Sequence, residues 1–295
     1  SITVYFIMTD YGPAWKEHRR FALMTLRNFG LGKQSMENRI LGEIEHLVCK
    51  IGKAFCTLNP QTLFHDAASN IIYLVLFGTR YEYDDKTLKQ YVALFTENTK
   101  IVNGPWSMIY DTLPLVRSLP LPFKKKDSGS SFDEGQLTMY ILILHVAGTD
   151  TTSNTLLTAF LYLMAYPDIQ ERCQQEIDEV LQGKAHASFE DRHNMPYTQA
   201  VIHESQRIAN TVPLSVIPQV MISNNVLSEE GPRVCLGEGL ARMELFLILV
   251  TLLRRFRFIW PEDAGEPDFT PVFGVTLTPK PYRMGIRLRQ PAREM

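Results

Sequence analysis

A single cysteine, Cys235, lies between turn-forming residues and a long apolar segment. Residues 240–256 have leucines at positions 245, 249, 252 and 253, which share one helix face, so the pattern predicts that Cys235 directly precedes a helix. The dipole and free N–H groups at a helix start favour a negative sulfur, and Arg233 adds positive charge two residues earlier. The pattern is typical of a thiolate ligand, although an inert buried cysteine would give the same spacing.

A carboxylate and a guanidinium form the second candidate group. Glu204 and Arg207 lie three residues apart in segment 196–210, which is predicted to be helical. This spacing places both side chains on one face, where they can form a charge-assisted pair. Such pairs are also common on solvated helix faces, where they contribute little.

A run of small and hydroxylated residues, AGTDTT at 147–152, interrupts the long apolar segment 132–166. The sequence SFDE at 131–134 forms a capping box that starts this helix, and Pro167 marks its end. Glycine and threonine are unfavourable in a helix interior, because threonine hydroxyls compete for backbone carbonyls, so we expect a local kink. The run therefore indicates either a close helix crossing or a groove lined by polar groups.

Trp15 and Arg19 are one turn apart in the predicted helix 14–26. The indole N–H and the guanidinium are both donors suited to a carboxylate on a ligand. Ordinary packing of a tryptophan beside a surface arginine is the alternative.

In this order, the four motifs resemble those of the cytochrome P-450 family. The sequences MPYT at 195–198 and PKPY at 279–282 resemble its microsomal branch in vertebrates, which metabolises drugs and fatty acids. The resemblance covers most of the chain and implies a mainly α, P-450-like fold with small β elements. We expect the haem to lie between the long central helix and the Cys235 loop.

The resemblance implies a role for each motif. Cys235 would be the axial thiolate ligand of the iron in haem b, and Ala147 and Gly148 would leave space above that iron. Thr151 and Asp150 would donate or relay protons. The haem propionates would be held by Trp15, Arg19 and Arg233, with His18 and Arg20 directed elsewhere.

Structural support is also implied by the resemblance. The Glu204–Arg207 pair would be buried and would brace the cysteine loop. Gly231 opens that loop, and Gly237 would let backbone N–H groups approach the sulfur.

The implied activity is haem-thiolate monooxygenation, in which one atom of molecular oxygen enters an apolar organic substrate. An NADPH-dependent reductase would supply the electrons, at the cytoplasmic face of the endoplasmic reticulum membrane. Candidate walls of the substrate site are Leu144, Ala147 and residues 212–217.

Composition and patterning indicate a single domain over residues 1–295. Further helices are predicted at 36–55, 61–77 and 86–102, and a terminal β-hairpin at 269–288. The net charge of −2 gives no reason to expect nucleic-acid binding. Four cysteines are too few and too scattered for a disulfide framework.

The sequence has no uninterrupted apolar stretch of about 20 residues, so we expect no transmembrane anchor within it. The apolar sequence LPLPF at 119–123 is followed by three lysines at 124–126. Apolar residues beside a basic cluster fit a membrane surface, and an ordinary exposed loop fits equally well.

Departures from the family pattern predict an incomplete version of the fold. The family's amino-terminal anchor and first helices have no counterpart before Trp15, and two further helices are absent after Lys126. Only 27 residues, 208–234, separate Arg207 from Cys235, and the arginine that completes the Glu204–Arg207 network is missing. The sequence LSEE at 227–230 replaces the usual Phe-x-x-Gly turn. The alternative function is therefore a non-catalytic, truncated splice or gene-model product with weak or no haem binding.

Overall fold

The computed structural model describes residues 12–28, 30, 34–53, 57–83, 85, 134–213, 234–274 and 276–289. Within these ranges the chain is mainly helical, with two small antiparallel sheets. The helices are α1 (Pro13–Asn28), α2 (Gln34–Gly52), α3 (Pro60–Leu76), α4 (Glu134–Ala165), α5 (Pro167–Val180), α6 (Pro196–Ala209) and α7 (Glu238–Arg255). Short 3-10 helices lie at Phe189–Asn194 and Glu262–Ala264.

The predicted helices with described residues are confirmed, with boundaries shifted by a few residues. Their ends follow local chemistry: α3 begins after Asn59, whose side chain accepts a hydrogen bond from the Gln61 N–H at 2.9 Å, with Pro60 in the first turn. At its other end, α6 stops at Asn210, which adopts a left-handed conformation with φ of 38°. The predicted helix 86–102 and the start of the capping box at 131–133 lie outside the described residues.

The core surrounds the central helix α4, which packs most extensively against α3. Stacking of Phe64 on Phe160, with ring centroids 5.0 Å apart, joins these two helices. The apolar run of α7 supplies a continuous buried segment from Met243 to Val250. Because α7 packs against α2, α4 and α5, it is held on several sides at once.

The predicted terminal hairpin is only partly correct. Strands β3 (Pro271–Val272) and β4 (Thr278–Pro279) pair as a short hairpin. The following strand, β5 (Met284–Leu288), instead lies between β1 (Thr57–Leu58) and β2 (Phe256–Ile259). The cause is burial: Met284 and Phe258 pack into the core, which a local hairpin could not offer them.

Two buried glutamines of α5 hold the strand that follows α7. The side-chain amide of Gln170 donates to the Phe258 carbonyl at 2.9 Å and accepts from the Phe258 N–H at 2.8 Å. Gln174 donates to the carbonyls of Leu253 and Phe256. These bonds satisfy the backbone where helix changes to strand, a point that lay inside the predicted helix 240–256.

No helix among the described ranges is long and apolar enough to span a bilayer.

Candidate functional site

Cys235 lies immediately before α7, as its sequence context predicts. Its side chain is exposed and is not in a disulfide. Gly237 occupies the N-cap position, and its carbonyl accepts from the Ala241 N–H at 2.8 Å. A thiolate at this position would face the positive end of an 18-residue helix. Gly231 and Arg233 lie outside the described residues.

The proposed need for glycine at position 237 is not supported by its surroundings. Its φ of −94° is accessible to any residue, and a Cβ built there would meet nothing within 4 Å. The space around position 237 is therefore open. The N-cap position at the start of α7 explains why a glycine is found there.

The Trp15 and Arg19 motif meets the cysteine loop directly. The Arg19 guanidinium donates a hydrogen bond to the Val234 carbonyl at 2.6 Å, so α1 contacts the residue next to Cys235. Arg19 also lies over the buried Trp15 ring, with its guanidinium carbon 5.5 Å from the ring centroid. Two motifs more than 200 residues apart in sequence therefore form one site.

A cavity of about 430 Å³ lies along α1 beside this contact. Trp15, Arg19 and Arg27 line it, and so does Arg20, contrary to the expectation that Arg20 points elsewhere. The concentration of guanidinium groups suits an anionic ligand.

The AGTDTT run forms part of an unbroken α4. The Thr151 hydroxyl donates to the Ala147 carbonyl at 2.7 Å, so it competes for a helix carbonyl as expected. Ala147 itself is exposed and presents only a methyl group. Asp150 lies close to α3: its carboxylate oxygen is 3.4 Å from the His65 ring nitrogen, and both side chains are 27% exposed.

The surroundings of Gly148 explain why the AGTDTT run contains a glycine. A Cβ at this position would overlap the Ile72 side chain of α3, including its Cγ1 at 2.8 Å. An added methyl would fit only if Ile72 shifted, so the close crossing of α3 and α4 favours the packing interpretation for Gly148.

A second histidine, His145, lies in the same interface. Burial lowers its pKa to about 4, and the charge of His65 acts in the same direction while Asp150 opposes it. Its ring packs on Tyr73, with centroids 4.7 Å apart, and its Nε2 is 3.4 Å from the Ser69 hydroxyl. His145 is therefore neutral near physiological pH.

The Glu204 and Arg207 pair forms but is not buried. Two bonds of 2.7 and 2.6 Å join the side chains, and the Arg207 hydrogen bond holds the pKa of Glu204 below its usual range. The side chains are 53% and 71% exposed, so the implied burial against the cysteine loop is wrong for this structure. In the described ranges no third partner covers the pair, and it is an ordinary solvated pair of α6.

The segment after α6 rests on the central helix. The hydroxyls of Thr211 and Thr155 are 3.3 Å apart, and the Thr211 carbonyl accepts from the Leu277 N–H at 2.9 Å. Val212, the next residue, is exposed, and Leu144 on α4 is half-buried. Residues 214–217 of the predicted wall lie outside the described ranges.

A buried carboxyl group, Glu244, was missed by the sequence analysis. It lies on α7 and is 1% exposed, and neither of its oxygens completes a hydrogen bond. Burial raises its pKa to about 8, an effect that the nearby Thr152 hydroxyl of α4 offsets only in part. The signal was present, since Glu244 is the only acidic residue inside the apolar run 243–250.

Sequence comparison with known proteins identifies the family of this chain. The sequence profile of the family described as Cytochrome P-450 matches residues 3–128, 121–229 and 230–286. The chain belongs to the cytochrome P-450 family, whose members are haem-thiolate monooxygenases in general.

The similar curated proteins are vertebrate microsomal members. Cytochrome P-450 2D28 of Mesocricetus auratus is 33% identical over 374 residues, covering 94% of this chain and 75% of the relative. Cytochrome P-450 2U1 of Homo sapiens is 30% identical, covering 96% and 70%. Cytochrome P-450 2K4 of Oncorhynchus mykiss is 34% identical, covering 94% and 74%.

The donor set near Cys235 fits the haem that the family implies. Haem needs one thiolate for iron and cationic or N–H donors for two propionates. Cys235 is exposed, and the Arg19 bond to Val234 holds that guanidinium beside it. The adjoining cavity contains the further cations Arg20 and Arg27.

Proposed function

We propose that this chain acts as a haem-thiolate monooxygenase on an apolar organic substrate, with electrons from an NADPH-dependent reductase. The observation that carries the proposal is the 2.6 Å bond from Arg19 to the Val234 carbonyl, because it joins the propionate-binding motif to the ligand loop. Haem iron bound by a thiolate would supply the activation of molecular oxygen.

Each site residue then has one task. Cys235 would hold the iron, and the start of α7 would stabilise its negative sulfur. Trp15 and Arg19, together with Arg233, would donate to the propionates. Ala147 keeps the facing surface of α4 small.

Proton supply is assigned to α4. The Thr151 hydroxyl donates its hydrogen bond to the Ala147 carbonyl. The hydroxyl proton would become available for transfer when the hydroxyl rotates away from that carbonyl. Asp150 directly precedes Thr151 in the helix and is partly exposed, so its carboxylate would connect that hydroxyl to solvent in a proton relay. Leu144 and Val212 provide apolar surface for the substrate.

The proposed location is the endoplasmic reticulum membrane, on its cytoplasmic face. The similarity to microsomal relatives supports this assignment.

A non-catalytic, truncated product is the second candidate, and two observations favour it. The Glu204–Arg207 pair is exposed. The alignment to the hamster relative extends over 374 residues, more than the 295 of this chain, so internal stretches of that relative have no counterpart here.

The carbon-monoxide difference spectrum of the reduced, haem-reconstituted chain separates the two candidates. We expect a long-wavelength Soret band that is lost in Cys235→Ala and kept in Cys49→Ala, since Cys49 is an exposed cysteine on α2, away from the site. A short-wavelength band in the wild-type chain, or none, would favour the non-catalytic product.

A further inference from the structure

A second cavity, of about 370 Å³, lies between α5 and the sheet strands β2 and β5. Three of its lining residues are arginines, at positions 257, 287 and 289. The other lining residues are Glu171, Gln174 and Gln175 of α5 and Leu288 of β5. We call this cavity the arginine groove.

Two of the arginines face each other directly. Arg257 of β2 and Arg287 of β5 are register partners in the antiparallel pair, so their side chains leave the sheet on the same face. The neighbouring Phe256 and Phe258 point into the core, which leaves both arginines exposed. Like charges directly opposite each other destabilise a sheet. Arg257 and Arg287 are such a pair, and neither has a carboxylate as its register partner.

The third arginine differs because its charge is already neutralised. Arg289 binds the Asp178 carboxylate through two nitrogens, at 2.6 and 3.2 Å, and it also donates to the carbonyls of Leu253 and Arg254. In the described part of the chain, Arg257 and Arg287 make no hydrogen bond or ion pair. With the Arg289–Asp178 pair counted as neutral, Arg257, Arg287 and Glu171 leave the groove with a net charge of +1.

We propose that the arginine groove binds the phosphoryl group of an anionic ligand between Arg257 and Arg287. Two guanidinium forks on one sheet face match the several oxygens of a phosphate, and the ligand's charge would relieve the repulsion between them. The Gln175 amide adds a neutral donor on the opposite wall. A phospholipid headgroup and a water-soluble phosphate present the same chemistry.

Leu288 does not decide the source of the phosphate. It is 77% exposed while lining a basic cavity, the largest exposed fraction among the large apolar side chains described. Its register partner is Phe256, so its side chain leaves the sheet on the face opposite the two arginines, and its exposure does not select a lipid headgroup over a soluble phosphate. The same groove would hold free phosphate without using Leu288.

The test follows the arginine side-chain NMR signals of the full chain during titration with inorganic phosphate. A second titration uses phosphatidylcholine vesicles with and without phosphatidic acid. We expect saturable shifts of the Arg257 and Arg287 Nε–H signals and at least about tenfold weaker binding in Arg257→Gln/Arg287→Gln. Arg283→Gln is the matched control, because Arg283 is an exposed arginine whose partner is Asp263, outside the groove.

Each outcome decides the proposal. Saturation by inorganic phosphate alone supports a soluble ligand, and binding only to vesicles that contain phosphatidic acid supports a headgroup. No saturable change with either probe, or an equal loss in Arg283→Gln, overturns the groove as a site. Folding is controlled by thermal unfolding in phosphate-free buffer, where the double variant should be at least as stable as wild type, because the facing charges are gone.

Discussion

Glu244 should make the stability of this protein fall as the pH rises through neutrality. Its pKa rises from 4.5 to about 8 on folding, because its carboxyl is buried without a completed hydrogen bond. Between these two values the native state holds a proton that the unfolded state has lost. The stabilising effect of that proton is therefore largest below pH 4.5, decreases as the pH rises, and is gone above about pH 8.

The size of the effect follows from the shift. One pKa unit corresponds to about 1.4 kcal/mol, so the full range is on the order of 3–5 kcal/mol. Between roughly pH 6 and pH 8, the contribution of Glu244 to the free energy of unfolding should fall by about 2 kcal/mol. Glu244→Gln keeps the shape of the side chain but has no proton to lose, so this part of the pH dependence should disappear.

The assay is urea unfolding of wild type and Glu244→Gln across this pH range, with Glu45→Gln as control. Glu45 is exposed on α2, so its substitution should leave the slope with pH unchanged. We expect Glu244→Gln to be close to wild type at low pH and more stable above pH 8. Parallel pH profiles for wild type and Glu244→Gln would refute the reasoning, because they would mean that this carboxyl is solvated or paired.

Two further substitutions test the packing and the exposure of the site elements. Gly148→Ala should lower the free energy of unfolding by about 1–3 kcal/mol, because the added methyl overlaps Ile72, whereas Gly42→Ala on the open face of α2 should be stabilising by up to about 1 kcal/mol. Denaturant titration checks both, and partial rescue of Gly148→Ala by Ile72→Val would identify the overlap as the cause. Arg207→Ala should leave the unfolding midpoint almost unchanged, because its pair with Glu204 is solvated. A large fall in that midpoint would show that the pair is buried in solution.

Local patterns predicted the helices well, because a helix is set by spacing and caps that lie within a few residues. The start of α7 after Cys235 and the end of α4 before Pro167 are examples. Strand pairing was predicted less well: β5 reads as half of a hairpin, yet it pairs with β1 and β2, which lie far away in the sequence. Nothing in residues 269–288 alone could indicate those partners.

In the candidate site, too, local features were predicted from the sequence and features that depend on distant parts of the chain were not. The spacing of Trp15 and Arg19 predicted a shared face, and in the structure Arg19 lies over the Trp15 ring and donates to the Val234 carbonyl. Their role in holding the haem propionates stays a prediction. The exposure of the Glu204 pair was not predictable from its spacing, because burial depends on which parts of the chain cover a helix. Glu244 required three-dimensional information too, since its high pKa depends on helices that surround α7 on several sides.

The position of β5 also has a consequence for the order of folding. Strand β1 precedes the first residue of α3, but it pairs with Gly285 and Met284 near the other end of the described chain. The Tyr282 hydroxyl adds a 2.8 Å bond to the Leu157 carbonyl in the middle of α4. These contacts have a very high contact order, so they cannot form while the chain is still emerging from the ribosome. During synthesis the helices therefore form while one edge of their core is still uncovered. We expect this edge to need chaperone binding most just before β5 leaves the ribosome.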